Sequence, residues 1–134
     1  AFDDAAATLE HALAAGLRVG ILTNGRIDVQ TTKLRRTGLL RKDVPVFASS
    51  ELPAAKPDPR AFLTACAGLG VDPADTVMVG DSLRHDVEGA LGAGLQARLL
   101  DRYGRYGRYG RYETQRVAVP VPTVRGLSEL ALAV

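Results

Sequence analysis

The sequence predicts an α/β fold, a parallel sheet with helices on both faces, and three observations carry that prediction. Short apolar runs alternate with helical patterns along the chain, the arrangement that builds parallel sheets from crossover units. Polar clusters follow those runs or open the helices, as at Thr23-Asn24-Gly25, Lys56-Pro57-Asp58 and Gly80-Asp81-Ser82. Open α/β sheets gather ligand chemistry at this rim, beyond the carboxyl ends of their strands. Finally, 134 residues, 46% hydrophobic and 24% charged, are one domain's worth of ordinary globular sequence with enough length for a real core.

The elements follow in order. Residues 4–15 read as a helix, with Leu9 and Leu13 four apart and Gly16 placed to end it. An apolar strand covers 18–22, and Thr23-Asn24-Gly25 turns out of it. A polar helix from about 27 to 37 stops at Gly38, and 45–48 form a second strand. After Lys56-Pro57 a helix runs through Phe62, Leu63, Cys66 and Leu69, its end marked by Gly68 and Gly70. Residues 76–79 make a third strand, 86 to about 92 a short helix, 96–100 a fourth strand, and 126–132 a closing leucine helix.

One segment breaks this rhythm. Residues 102–112 are Arg-Tyr-Gly three times and then Arg-Tyr. Glycine at every third place opposes both helix and strand, so a tandem expansion in a surface loop is expected. The competing reading is a small RNA-binding element, since arginine pairs with phosphates and tyrosine stacks on bases. Its four arginines account for more than the whole net charge of +2 and leave −2 on the remainder. The body therefore offers no basic face, and nucleic acid is not the expected partner.

Other classes are excluded more simply. A single cysteine, Cys66, rules out a disulfide framework, and its apolar surroundings predict a buried structural thiol. No apolar run approaches the roughly 20 residues of a membrane span, and no leader pattern opens the chain. A cytoplasmic protein without a membrane partner is expected. The sequence carries no signal for oligomeric state.

The polar clusters suit a phosphoryl group held against a divalent cation. Thr23 can donate its hydroxyl to a phosphate oxygen, and the amides of Asn24 and Gly25 lie where a turn forms an anion nest. Lys56 can neutralise phosphate or keep a nearby carboxylate ionised. Asp81 and Asp86 can supply oxygen ligands to magnesium, which needs only one or two carboxylates because it keeps several waters. Each has a plainer alternative: Thr-Asn-Gly is a common turn, Lys56 a solvated cation, and Asp86 a helix cap. His85 reads as a polar loop residue rather than a general base, and His11 as solvent-facing.

Taken together, the three segments resemble the haloacid dehalogenase superfamily of phosphohydrolases, from about residue 4 to the end of the chain. Thr23 matches its second motif, Lys56 its third, and Gly80-Asp81 through Asp86 its fourth. The resemblance implies a Rossmann-like core and attack by an aspartate nucleophile on phosphorus. A second aspartate, two residues later, would act as general acid and base, and the aspartyl-phosphate would then be hydrolysed. Thr23 and Lys56 would be the catalytic phosphate-binding side chains, with Asn24 and Gly25 beside them. Asp81 and Asp86 would hold Mg2+, and the substrate would be a small phosphorylated metabolite.

The sequence departs from the family pattern at its first motif. No Asp-x-Asp follows an apolar strand, and Asp3 and Asp4 precede a helix instead. The resemblance therefore implies an incomplete core, truncated from a complete enzyme, lacking both the nucleophile strand and the cap that follows it. That strand would lie centrally, between those carrying the second and fourth motifs. Without it, a groove should open between its two neighbours. A non-catalytic binding module, RNA-associated through the Arg-Tyr-Gly segment, is the alternative function. Less favoured are a halide-releasing relative and a phosphorelay receiver, whose motif order differs.

Overall fold

The computed structural model describes residues 3–101 together with 123, 124, 126 and 127. Helix α1 (Asp3–Ala14) leads to β1 (Ile21–Thr23), α2 (Ile27–Arg36), β2 (Val46–Ala48) and α3 (Pro59–Leu69). Strand β3 (Val77–Gly80) is followed by a π-helical turn, Leu83–Glu88, that runs into α4 (Gly89–Gly92). Strands β4 (Gln96–Leu100) and β5 (Thr123–Val124) follow. This is the parallel α/β arrangement expected from the alternating pattern, Rossmann-like as the resemblance implies.

All strand pairs among the described residues are parallel, and they form two groups. β1 pairs with β2, Leu22 opposite Phe47, while β3 pairs with β4 and β4 with β5. Among the described residues, no ladder joins β1 to β3. The two groups nevertheless share one core. Phe62 and Cys66 of α3 pack with Val87, Ala90, Leu95, Ala97 and Leu99, and Leu22 and Met78 reach the same cluster, one from each sheet. Cys66 is free and buried, as its surroundings predict.

Close packing depends on one glycine in particular. A Cβ on Gly89 would meet the Phe62 ring and, at 3.0 Å, the Pro57 Cα. Only a bare backbone lets the start of α4 lie against the Lys56-Pro57 loop, whose peptide bond is cis. Gly70, at φ 69°, closes α3 in the left-handed conformation that glycine adopts without strain.

Several boundaries differ from the sequence reading. The first strand starts at Ile21 rather than residue 18, because pairing begins where Ile21 N–H donates to Pro45 O at 2.9 Å. Apolar character marks a candidate strand, whereas the partner decides its length. The helical turn after β3 opens at Leu83, not Asp86. Ser82 caps it by accepting the His85 N–H at 3.1 Å, which leaves Asp86 inside the turn, not at its cap.

The Arg-Tyr-Gly segment and most of the expected closing helix lie outside the described residues. Leu127 N–H donates to Asp4 Oδ2 at 2.8 Å, so Asp4 ties α1 to the far end of the chain. No helix among the described residues is long and apolar enough to cross a membrane.

Candidate active site

At the carboxyl end of β1, Thr23 is half-buried, and its Oγ1 lies 3.4 Å from Asn24 O. That is at the long limit for a hydroxyl donor. Gly25 turns the chain at φ 126°, a conformation L side chains rarely adopt. Its N–H was expected to face an anion, and instead it donates to Ser49 Oγ at 2.7 Å. Ser50 Oγ accepts the Ile27 N–H at 2.9 Å, and Ser50 N–H donates to Gly25 O at 3.1 Å. The two serines after β2 thus hold the turn and the start of α2, and the Gly25 amide is spent inside the protein.

Lys56 lies on the loop before α3. Asn24 grips its backbone: Lys56 N–H donates to Asn24 Oδ1 at 2.9 Å, and Asn24 Nδ2 donates to Lys56 O at 3.0 Å. The helix that follows is capped by Asp58, which accepts the Arg60 N–H at 2.9 Å. The Arg60 guanidinium and that N–H hold the Asp58 carboxyl below the usual carboxylate range. From this braced loop the Lys56 ammonium reaches Asp86 Oδ1 at 2.5 Å, with side-chain exposures of 11% and 6%.

Asp81 and Asp86 occupy different environments. Asp81, just beyond β3, is exposed, and no hydrogen bond or ion pair engages its carboxylate among the described residues. Asp86 is 4% exposed and doubly engaged, by Lys56 at Oδ1 and by the Ser82 N–H at Oδ2, 3.1 Å away. Gly80 makes this possible, because a Cβ there would overlap the Asp86 carboxylate. The π-helical turn helps as well. Asp86 N–H and Val87 N–H both donate to Ser82 O, at 3.0 and 3.2 Å, and the carboxylate folds back towards β3. Ser82 Oγ also lies 3.2 Å from His85 Nδ1, and His85, expected in a loop, sits inside the π-helical turn.

These donors decide how the residues fit magnesium. Among the described residues no three His, Cys, Asp or Glu side chains converge as a ready-made cage. Asp81 suits a cation that keeps most of its waters. Asp86, with both oxygens on protein donors, is in this arrangement the counter-ion of Lys56.

A hydrogen-bonded chain, Asn24–Lys56–Asp86–Ser82, therefore joins the carboxyl ends of β1 and β3. The class is an α/β protein whose polar groups gather beyond its parallel strands. The haloacid dehalogenase-like hydrolase family matches residues 1–94, and the chain belongs to it.

Phosphoserine phosphatase of Thermus thermophilus is 42% identical over 101 residues, covering 75% of this chain and 41% of that protein. Glyceraldehyde 3-phosphate phosphatase of Methanopyrus kandleri is 36% identical over 94 residues, 70% of this chain and 40% of that one. Among solved structures, a HAD phosphatase from Thermococcus onnurineus superposes with TM-score 0.79 at 35% identity, covering 96% of this chain and 55% of that one. A 2-haloacid dehalogenase from Pseudomonas syringae pv. Tomato DC3000 gives TM-score 0.76 at 31% identity, over 96% and 50%. The chain spans between two fifths and about half of these proteins.

Three features escape a reading of the sequence. Ser49 and Ser50 as turn holders and the Asn24 side chain as a clamp depend on contacts 23 to 32 residues away, and nothing local signals them. The Ser82 cap was legible in principle, since serine after a strand and before a helical pattern is the ordinary start signal.

Proposed function

We propose that this chain carries the phosphate- and cation-binding part of a magnesium-dependent phosphohydrolase acting on a small phosphorylated metabolite through an aspartyl-phosphate. The observation that carries the reading is the chain from Asn24 to Ser82, with the Thr23 hydroxyl at one end and the Asp81 carboxylate at the other. Phosphoryl transfer asks a protein chiefly to position groups and stabilise charge. Thr23 would donate to a phosphoryl oxygen, and Lys56, anchored on Asp86, would place positive charge beside it. Asp81 would hold magnesium, which when bound supplies further charge against the phosphoryl oxygens. The nucleophilic aspartate would end a parallel strand seated between β1 and β3, where the described strands leave the sheet divided. The phosphatase names of the relatives support phosphoester hydrolysis over halide release.

Titrating inorganic phosphate into the protein, with and without magnesium, tests this by phosphorus NMR. Binding is expected only with magnesium, and Thr23→Val or Asp81→Asn should weaken it by about tenfold or more, the worth of one hydrogen bond to a charged group. Absence of binding, or binding indifferent to both substitutions, would sink the proposal.

A further inference from the structure

We infer that the Asn24 carboxamide is a positioning residue for Lys56, locking the lysine's backbone to the end of β1 so that one residue sets the phosphate-binding hydroxyl and the ammonium together. The inference rests on the phosphate reading for its chemistry, but its geometry stands alone. Asn24 Oδ1 accepts the Lys56 N–H and Asn24 Nδ2 donates to Lys56 O, at 2.9 and 3.0 Å across 32 residues of sequence. A side-chain amide here does what a neighbouring peptide group does in a sheet, matching one donor and one acceptor of the same residue. Asn24 O also accepts from Gln30 Nε2 at 3.2 Å, which steadies the clamp from α2.

The pairing is demanding. Aspartate would keep the acceptor but set a carboxylate oxygen against Lys56 O, alanine would remove both bonds, and glutamine adds a methylene that spoils the register. At its other end Lys56 is fixed by Asp86, so stem and head are held independently. Because Thr23 immediately precedes Asn24, a shift of the clamp moves the ammonium relative to the hydroxyl. Without it, the ion pair tethers only the tip of a flexible four-carbon stem.

Three readouts on Asn24→Ala and Asn24→Asp test this: hydrogen exchange of the Lys56 amide, thermal midpoint, and magnesium-dependent phosphate affinity. In folded Asn24→Ala we expect Lys56 amide exchange to accelerate about tenfold or more and phosphate affinity to fall by a similar factor. Asn24→Asp should keep part of the amide protection, yet bind phosphate no better. Lys56 amide exchange unchanged in a folded Asn24→Ala would overturn the inference. So would phosphate affinity that survives the loss of that protection. Should the unaltered protein bind no phosphate, the phosphate reading fails by itself, and Lys56 exchange still decides the clamp. Should Asn24→Ala not fold, Asn24→Asp decides alone: weakened phosphate binding with Lys56 amide protection partly kept supports the clamp, and wild-type affinity overturns it.

Discussion

Replacing Asp81 by asparagine removes charge from an exposed carboxylate that no described residue engages. The same change at Asp86 leaves the Lys56 ammonium, with a side chain only 11% exposed, against a neutral amide. The two variants should therefore separate. Asp81→Asn is expected to lose magnesium binding while its unfolding free energy stays within about 0.5 kcal/mol of the parent, as for most surface changes. Asp86→Asn should cost about 3 kcal/mol, the lower end for breaking a buried pair, because asparagine keeps one acceptor. Urea denaturation and magnesium calorimetry on both proteins check this, and a larger stability loss at Asp81 would count against it. The place of Asp81 at the strand end already ranks it above Asp86 for magnesium, but the sequence does not show the burial that separates them. Spacing puts both near one strand end, whereas burial, set by Gly80 and by a lysine 30 residues away, decides which meets solvent. The Gly25 amide makes the same point: it looked available for an anion until Ser49, 24 residues on, claimed it.

At the scale of elements, helix starts and stops were the more legible, since their signals are local. Gly16, Gly38 and Gly70 all take positive φ where a helix was expected to end. Strand edges were less so, because a strand reaches only as far as its partner, as Ile21 and Pro45 show. Helix α3 offers a test of its own start signal. Asp58 caps it and pairs with Arg60, and its carboxyl is held below the ordinary value of 3.8, first by the Arg60 side chain and then by its N–H. A depressed carboxylate contributes stability that is present above that ordinary value and is lost as pH falls through the lower, folded one. Asp58→Ala should therefore lower the thermal midpoint at neutral pH, and the gap from the parent should narrow steadily as the pH drops below 3.8. A gap that persists undiminished into strong acid would show that the carboxylate's charge plays no part in the cap. Because Lys56 stands three residues before the start of this helix, fraying there would also loosen the loop that carries it.

On the scale of the whole molecule, two parallel sheet segments share one hydrophobic cluster and deliver their carboxyl ends to one site. The resemblance placed an absent central strand between the strands bearing Thr23 and Asp81, and no ladder joins those strands among the described residues. In the proposed reading each polar side chain that the site gathers binds, anchors or neutralises. Thr23 would donate to phosphate, Lys56 is a cation tied to Asp86, and Asp81 would hold magnesium. Asp81, just beyond β3, is taken up by magnesium in that reading, and Asp86 is turned inward and held by two donors, which leaves no carboxylate of the site to attack phosphorus. The 134-residue chain should therefore bind phosphate with magnesium yet show no measurable hydrolysis of p-nitrophenyl phosphate. Removing the nucleophile from a covalent mechanism can cost on the order of a millionfold in rate, while positioning and charge alone leave only a small residue of catalysis. Phosphate release by rigorously purified protein, dependent on magnesium and abolished by Lys56→Met, would mean that another group in this chain attacks. Binding without turnover would show that the two halves of the chemistry, holding the phosphoryl group and attacking it, reside on separable parts of the fold.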